Sequence, residues 1–302
     1  MRGEQSALAP RGPEAELLHG LTWLLVSGAA VIFLITMVLL LLALSGRDAW
    51  KRRLASPRAV LLLGALVPSV VLLALLVHSS GVIATLTRPA PRPLVVEVVG
   101  RQFWWEVRYP AQGIVTANEI RLPVGRQVEL VVTAPDVVHS LWIPALHGKI
   151  DMIPGRENRL RLTAGQPGVM RGQCAEFCGA QHTLMALFAV AEPEADFEAW
   201  AERQRAPTIP EGQGREVFGR AGCGACHGIR GTEFAGRIGP DLTLIGTRHS
   251  LGAGTLANHR ETLAQWIAAP QQVKPGNAMP DFRRILSEAE LDAVAQWLEA
   301  LR

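Results

Sequence analysis

Two long apolar runs stand near the front of the chain. From Leu21 to Leu44 the residues are almost all apolar and none is charged. That is enough to cross a bilayer, which takes about 20 helical residues. A second charge-free run, Ala59 to Leu86, is interrupted by Pro68 and a few small or polar residues. Pro68 is tolerable in a span because neighbouring helices or water can satisfy the carbonyl it frees. Between the runs, residues 46–58 carry Arg47, Lys51, Arg52, Arg53 and Arg58 against Asp48 alone. Two spans joined by a basic loop predict a transmembrane hairpin with the loop in the cytoplasm. The polar residues 1–20 and everything after residue 90 then lie outside, on the periplasmic face of the inner membrane in a bacterial cell. A cleaved signal peptide is the competing reading of the first run. Its apolar core would span about 7–15 residues behind a positive start, whereas this run is longer and its leader slightly acidic. His78, near the end of the second run, reads as an interfacial residue.

A hinge, Arg88-Pro89-Ala90-Pro91-Arg92-Pro93, closes the hairpin segment of residues 21–92. From 93 to 192 short alternating runs recur: Leu94–Val99, Phe103–Tyr109, Glu119–Leu122, Gln127–Thr133, Arg159–Leu162 and Leu184–Ala191. Val-rich segments separated by Gly, Pro and Asn predict an all-β sandwich or barrel. Residues 193–212 change again: Glu and Ala dominate, then Pro207, Pro210 and Gly212 follow, as in a short helix or extended linker. Residues 213–302 read as helical. Ser287-x-x-Glu290 is a capping box, and Leu291, Val294, Ala295, Leu298 and Leu301 form a stripe at helical spacing.

Composition adds little to this outline. A chain of 302 residues has room for about two domains, and a net charge of +3 makes no case for nucleic acid as a partner. The four cysteines matter more, because two short motifs use all of them. No pair is left for a disulfide, so the compartment must be read from membrane topology.

The first motif is Cys174-Ala175-Glu176-Phe177-Cys178-Gly179-Ala180-Gln181-His182-Thr183-Leu184-Met185, with His139 upstream in Val137-Val138-His139-Ser140. Soft sulfur ligands with imidazole suit copper. Two cysteines four apart can bridge a pair of metals if the loop folds back, with His, Met, His and one carbonyl closing the shells. Cys174, Cys178, His182 and His139 could equally make a tetrahedral zinc site. Met185, a poor zinc ligand, and Glu176, of no use to a zinc knuckle, lean towards copper.

The second motif, Cys223-Gly224-Ala225-Cys226-His227, is the c-type haem attachment pattern. Two thiols at this spacing can form thioethers to the haem vinyls, and His227 can then reach the iron from one face. Met279, in Pro275-Gly276-Asn277-Ala278-Met279-Pro280, is the one methionine after residue 185 and the expected sixth ligand. His249 and His259 are rivals read as surface residues.

The copper motif, with Asp136-Val137-Val138-His139-Ser140 and Lys149-Ile150-Asp151-Met152-Ile153-Pro154-Gly155-Arg156, resembles subunit II of cytochrome c oxidase, from the first span to about residue 192. The haem motif, Gly239-Pro240-Asp241-Leu242 and Ala278-Met279-Pro280 resemble class I cytochrome c. Together they match the subset whose subunit II carries a fused cytochrome c, the caa-type haem–copper oxidases. The resemblance implies a multidomain membrane protein: a two-helix hairpin, an all-β cupredoxin sandwich and an all-α cytochrome c domain.

It also implies a dinuclear copper A centre. Cys174 and Cys178 would bridge it, His139 and Met185 would complete one copper, and His182 with the Glu176 carbonyl the other. The Glu176 carboxylate would help hold a magnesium ion shared with subunit I. Asp136 and Arg156 match family words in which a fold-supporting role fits as well, and His147 reads as structural. Neither site has a nucleophile, a base or a substrate pocket, so the chain reads as a wire. The haem would accept an electron from a cytochrome c or a cytochrome bc complex and pass it through copper to subunit I, where dioxygen is reduced to water and protons are pumped. The lipid bilayer and the other oxidase subunits are the implied partners. A copper A-containing nitric oxide reductase, or a freestanding membrane redox protein, would use the same wire.

Two departures from the family stand out. Phe103 sits where Trp often marks the point at which electrons enter, leaving Trp104 as the candidate. Residues 58–66 carry no acidic residue that could feed protons to subunit I.

Overall fold

In the computed structural model, which describes residues 5–302, the chain forms two units, residues 16–88 and the remainder. The first contains both expected spans. Helix α1 (Pro13–Leu44) is followed by a short helix α2 (Asp48–Leu54) in the basic loop, then by α3 (Pro57–Leu86). Their apolar side chains, Leu34, Leu41, Leu61 and Leu72 among them, lie exposed, as on a surface that lipid would cover. Inside α3 a π-helical turn occupies Leu62–Leu66, just before Pro68. Proline has no N–H to give to a carbonyl one turn back, and a wider turn is a common local remedy.

The second unit begins with a sandwich of two five-stranded sheets. Its strands are β1 (Leu94–Arg101), β2 (Trp104–Tyr109), β3 (Ile114–Ala117), β4 (Glu119–Pro123), β5 (Gln127–Thr133), β6 (His139–Trp142), β7 (Ile150–Met152), β8 (Asn158–Thr163), β9 (Gly168–Cys174) and β10 (Ala186–Glu192). One sheet runs β3-β2-β1-β5-β8 and the other β4-β10-β9-β6-β7. The pairs β1/β5 and β4/β10 are parallel; the others are antiparallel. Inward residues such as Val96, Val98, Trp105, Leu130, Leu141 and Leu187 form one closed core. All six strand runs expected from the sequence form strands, and β3, β6, β7 and β9 are added to them. Helix α4 (Glu194–Arg205) realises the helical option for residues 193–212 and gives Phe197, Trp200 and Ala201 to the sandwich core.

The stretch before α1 also belongs to this unit. The Arg11 amide donates to the Ala145 carbonyl, and the Gly165 amide to the Arg11 carbonyl. The Glu14 carboxylate accepts from the Thr163 amide at 2.9 Å and from its hydroxyl at 3.1 Å.

The C-terminal region packs α5 (Gln213–Arg220), α6 (Arg260–Ala268) and α7 (Glu288–Ala300) around a second core that includes Phe218, Leu263, Leu291 and Trp297. It is helical as expected, with two short β pairings, His227–Gly228 with Ala235–Arg237 and Ser250–Leu251 with Leu256–Ala257. The capping box at the start of α7 forms: the Ser287 side chain accepts from the Glu290 amide, and the Glu290 carboxylate accepts from the Ser287 amide. Where α5 crosses α7, a Cβ on Gly214 would lie 2.2 Å from the Ala293 carbonyl oxygen and 2.5 Å from the Trp297 Cβ. Gly214→Ala therefore forces the two helices apart, at a cost of about 1–3 kcal/mol. Calorimetry should show the transition of this region lowered by about 4–8 °C per kcal/mol, with that of the sandwich unmoved.

Candidate metal centres

Copper-type ligands converge at one end of the sandwich. β6 supplies His139 at its first position, β9 ends at Cys174, and the loop from Cys174 to Met185 folds back so that Met185 leads into β10. The Cys174 amide donates to the Met185 carbonyl at 2.9 Å, which closes the base of the loop. The two sulfurs lie 3.8 Å apart. His139 Nδ1 is 3.9 Å from the Cys174 sulfur, and the Glu176 carbonyl oxygen is 3.2 Å from it. His182 Nδ1 is 3.8 Å and the Met185 sulfur 3.9 Å from the Cys178 sulfur.

These are spacings of atoms that share metal neighbours at ordinary bond lengths of about 2.0–2.3 Å. The ligand atoms of His139, Cys174 and Cys178 all lie within 4.8 Å of one another, a cluster that does not extend to His182. His139 is fully buried, and Cys174 and Cys178 are each 4% exposed. A set of two thiols, two imidazoles and a thioether, all buried except the half-buried His182, fits a soft metal.

The surroundings fix these ligands. His139 Nε2 lies 2.9 Å from an Asp136 carboxylate oxygen, so Nδ1 is left for the metal side. Burial alone would raise Asp136, but the Gln102 and Val137 amides outweigh it and hold the carboxyl below its ordinary range. Asp136 thus orients a ligand. Gln102, which sequence reasoning passed over, donates from Nε2 to the Cys178 carbonyl at 2.6 Å. Burial opposes ionisation of both thiols. At Cys174 the contact with His139 and the amides around it overcome that opposition and lower the pKa. At Cys178 the neighbouring Cys174 charge adds to it and raises the pKa. The metal-free pair therefore gives up one proton readily and holds the other, which a bound cation would displace. Glu176 is exposed at the loop tip beside the exposed Phe177, Arg156 lies in an exposed turn, and His147 stays out of the cluster with its Nδ1 towards Gly148.

The second site is a cavity of about 480 Å³ in the C-terminal region. Cys223, Cys226, His227 and Met279 all line it, with Leu242, Leu251, Trp266 and Phe282 among its apolar walls. His227 Nδ1 donates to the Pro240 carbonyl at 2.7 Å, which fixes the tautomer and leaves Nε2 as the ligand atom. Burial lowers His227, keeping it neutral as ligation requires. A Cβ on Gly239 would lie 2.6 Å from the His227 ring, so the Gly-Pro word gives the imidazole its room. His249 and His259 do not line the cavity: one is held by Glu119 and the other pairs with Glu261. An apolar cavity with both thiols, an imidazole and a thioether in its wall fits a covalently attached haem.

Residues of the sandwich complete that wall. Phe103, Trp104 and Gln181 line the same cavity. Trp104, the candidate for receiving electrons, thus faces the haem site of its own chain.

Comparison with known proteins gives these sites a context. Residues 110–191 match the family model for the cytochrome c oxidase subunit II periplasmic domain, and residues 212–302 that for cytochrome c. Cytochrome c oxidase subunit 2 of Alkalihalophilus pseudofirmus is 33% identical over 99% of this chain and 92% of its own length. The chain belongs to the cytochrome c oxidase subunit 2 family. Subunit 2 of Bacillus subtilis is 33% identical over 80% of this chain and 72% of its own. Among solved structures, the periplasmic domain of subunit II of cytochrome oxidase from Bradyrhizobium japonicum aligns with a TM-score of 0.37 and 29% identity, over 38% of this chain and 96% of that one. The subunit 2 chain described here is an electron-transfer subunit of a haem–copper oxidase, joining a copper-binding sandwich to a haem-binding cytochrome c region behind two apolar helices.

Proposed function

We propose that this subunit holds a dinuclear copper A centre in the sandwich and one haem c in the C-terminal region, and passes single electrons from the haem towards subunit I. The observation that carries the reading is the two-ended ligand set. His139 sits by Cys174 and His182 by Cys178, with the two sulfurs 3.8 Å apart between them. A single tetrahedral zinc would have no use for the Met185 thioether, whose sulfur lies 3.9 Å from that of Cys178.

When bound, the copper pair and the haem each supply reversible one-electron storage. The chain's own residues do the rest. Cys174, Cys178, His139, His182, Met185 and the Glu176 carbonyl would hold the copper pair. Burial of His139, Cys174, Cys178 and Met185 keeps water off those ligands, and Asp136 and Gln102 hold the ligands in place, so little rearranges when charge changes. Cys223 and Cys226 would hold the haem covalently, and His227 and Met279 would supply its iron with ligands. The exposed Glu176 carboxylate is available to a magnesium ion shared with subunit I. The packing of residues 5–15 on the sandwich supports a hairpin whose two ends return to one side, the periplasmic face, with the basic loop in the cytoplasm and lipid around the helices. A cytochrome c or a cytochrome bc complex would donate to the haem, with Trp104 between haem and copper.

Elemental analysis and near-infrared and electron paramagnetic spectra of the purified oxidase test the reading. Copper and iron with the signature of a copper pair support it; zinc in place of copper ends it.

A further inference from the structure

The C-terminal region is seated on the sandwich through polar contacts that neither motif explains. A Glu119 carboxylate oxygen, from β4, accepts from the His249 amide and from His249 Nδ1, each at 3.0 Å. Gln181, next to the ligand His182, donates from Nε2 to the Pro275 carbonyl at 3.0 Å, in the word that carries Met279. The Ala186 amide, at the start of β10, donates to the Ala253 carbonyl at 2.9 Å. Lys274 Nζ donates to the Phe103 carbonyl at 2.9 Å.

The seat is also dry. Lys274 is 3% exposed, and burial pulls its ammonium down to about 8. Glu119 is buried too. Burial alone would raise its carboxyl, but His249 and then Arg121 outweigh it and keep it ionised. Charged groups taken out of water at a domain boundary define one register, because any other register strands them without partners.

We propose that Glu119 and Gln181 are positioning residues that latch the cytochrome c region in one fixed seat beside the copper loop, making the haem a docked station and not a tethered shuttle. This rests on the metal assignment above. The step it serves moves one electron from haem to copper, with no bond made or broken and no proton transferred. Tunnelling falls off exponentially with separation, so a fixed seat sets its rate. Glu119 contributes a charge-assisted pair of hydrogen bonds, and its other partner, Arg121, keeps a second carboxylate in Glu192 at 2.9 Å. Removing Glu119 therefore weakens the seat without orphaning Arg121.

The test uses the intact oxidase carrying Glu119→Ala or Gln181→Leu. The Ala186 amide is the reporter: its acceptor lies across the boundary, and neither substitution touches that bond. Each variant should speed hydrogen exchange at Ala186 about tenfold and slow haem-to-copper transfer after rapid haem reduction, and Glu119→Ala, which lies outside the haem cavity, should leave haem and copper spectra unaltered. Unaltered exchange at Ala186 in both variants overturns the proposal. If Glu119→Ala does not assemble, Gln181→Leu alone decides. Wild-type oxidase lacking the copper or haem spectrum would instead refute the metal assignment.

Discussion

Cys178→Ser removes copper from the purified subunit and leaves the haem in place. Cys178 touches three other ligands: its sulfur lies 3.8 Å from Cys174, 3.8 Å from His182 and 3.9 Å from Met185. Serine is nearly the same size, so the buried loop keeps its packing. A hydroxyl, however, does not ionise near neutral pH and is a hard donor where a soft one is needed. Losing one thiolate costs about 3 kcal/mol, a hundredfold or more in affinity, if the binding energy of a structural metal is shared among its ligands. The remaining ligands cannot bridge a pair, so the near-infrared band disappears altogether. The haem persists because Cys223, Cys226 and His227 stand on other elements with their own core. Loss of the haem band in this variant would count against two separate sites.

Met279→Ala should open the haem iron to carbon monoxide and lower its potential. The substitution is clean because the Met279 backbone is held independently. Its amide donates to Asn277 Oδ1 at 2.8 Å, and its carbonyl accepts from Gln271 Nε2 at 3.1 Å. The loop therefore stays while the thioether goes. Axial ligation commands a span of roughly 0.8 V among haem proteins, and loss of a Met ligand moves the potential towards the low end. Reduced protein should bind carbon monoxide, and oxidised protein should lose its low-spin spectrum. Since His249 and His259 are tied elsewhere, Lys274 is the other side chain in the cavity wall with a nitrogen able to ligate. An unchanged low-spin spectrum would mean that such a residue, and not Met279, sits on the iron.

The ligand sets were legible because chemistry confines them to a few residue types, and both motifs are short in sequence. The spans were legible because long charge-free runs have few other uses. Strands were read where alternation is clean and lost where it is not. β9 alternates inward and outward in the fold, but Gly172 takes an inward position between Arg171 and Gln173 and so hides the pattern, and β7 is three residues long. Helix α4 was ambiguous for a related reason: its many charges conceal a buried face of Phe197, Trp200 and Ala201. The contacts between sandwich and cytochrome c region left no trace at all. Glu119, Gln181 and Lys274 look like ordinary polar residues, because what gives them a role is a surface folded from residues 94 to 171 positions away. Trp104 was singled out as a place where electrons enter, but only the fold brings the haem cavity to it.

The residues ahead of the first helix impose an order on biogenesis. Glu14, in the first turn of α1, reaches Thr163 across 149 positions of sequence, so it finds its seat only after both apolar helices and the strands as far as β8 have been made. Closing so large a loop is slow. The sandwich must therefore stand with an open flank until this N-terminal stretch closes it.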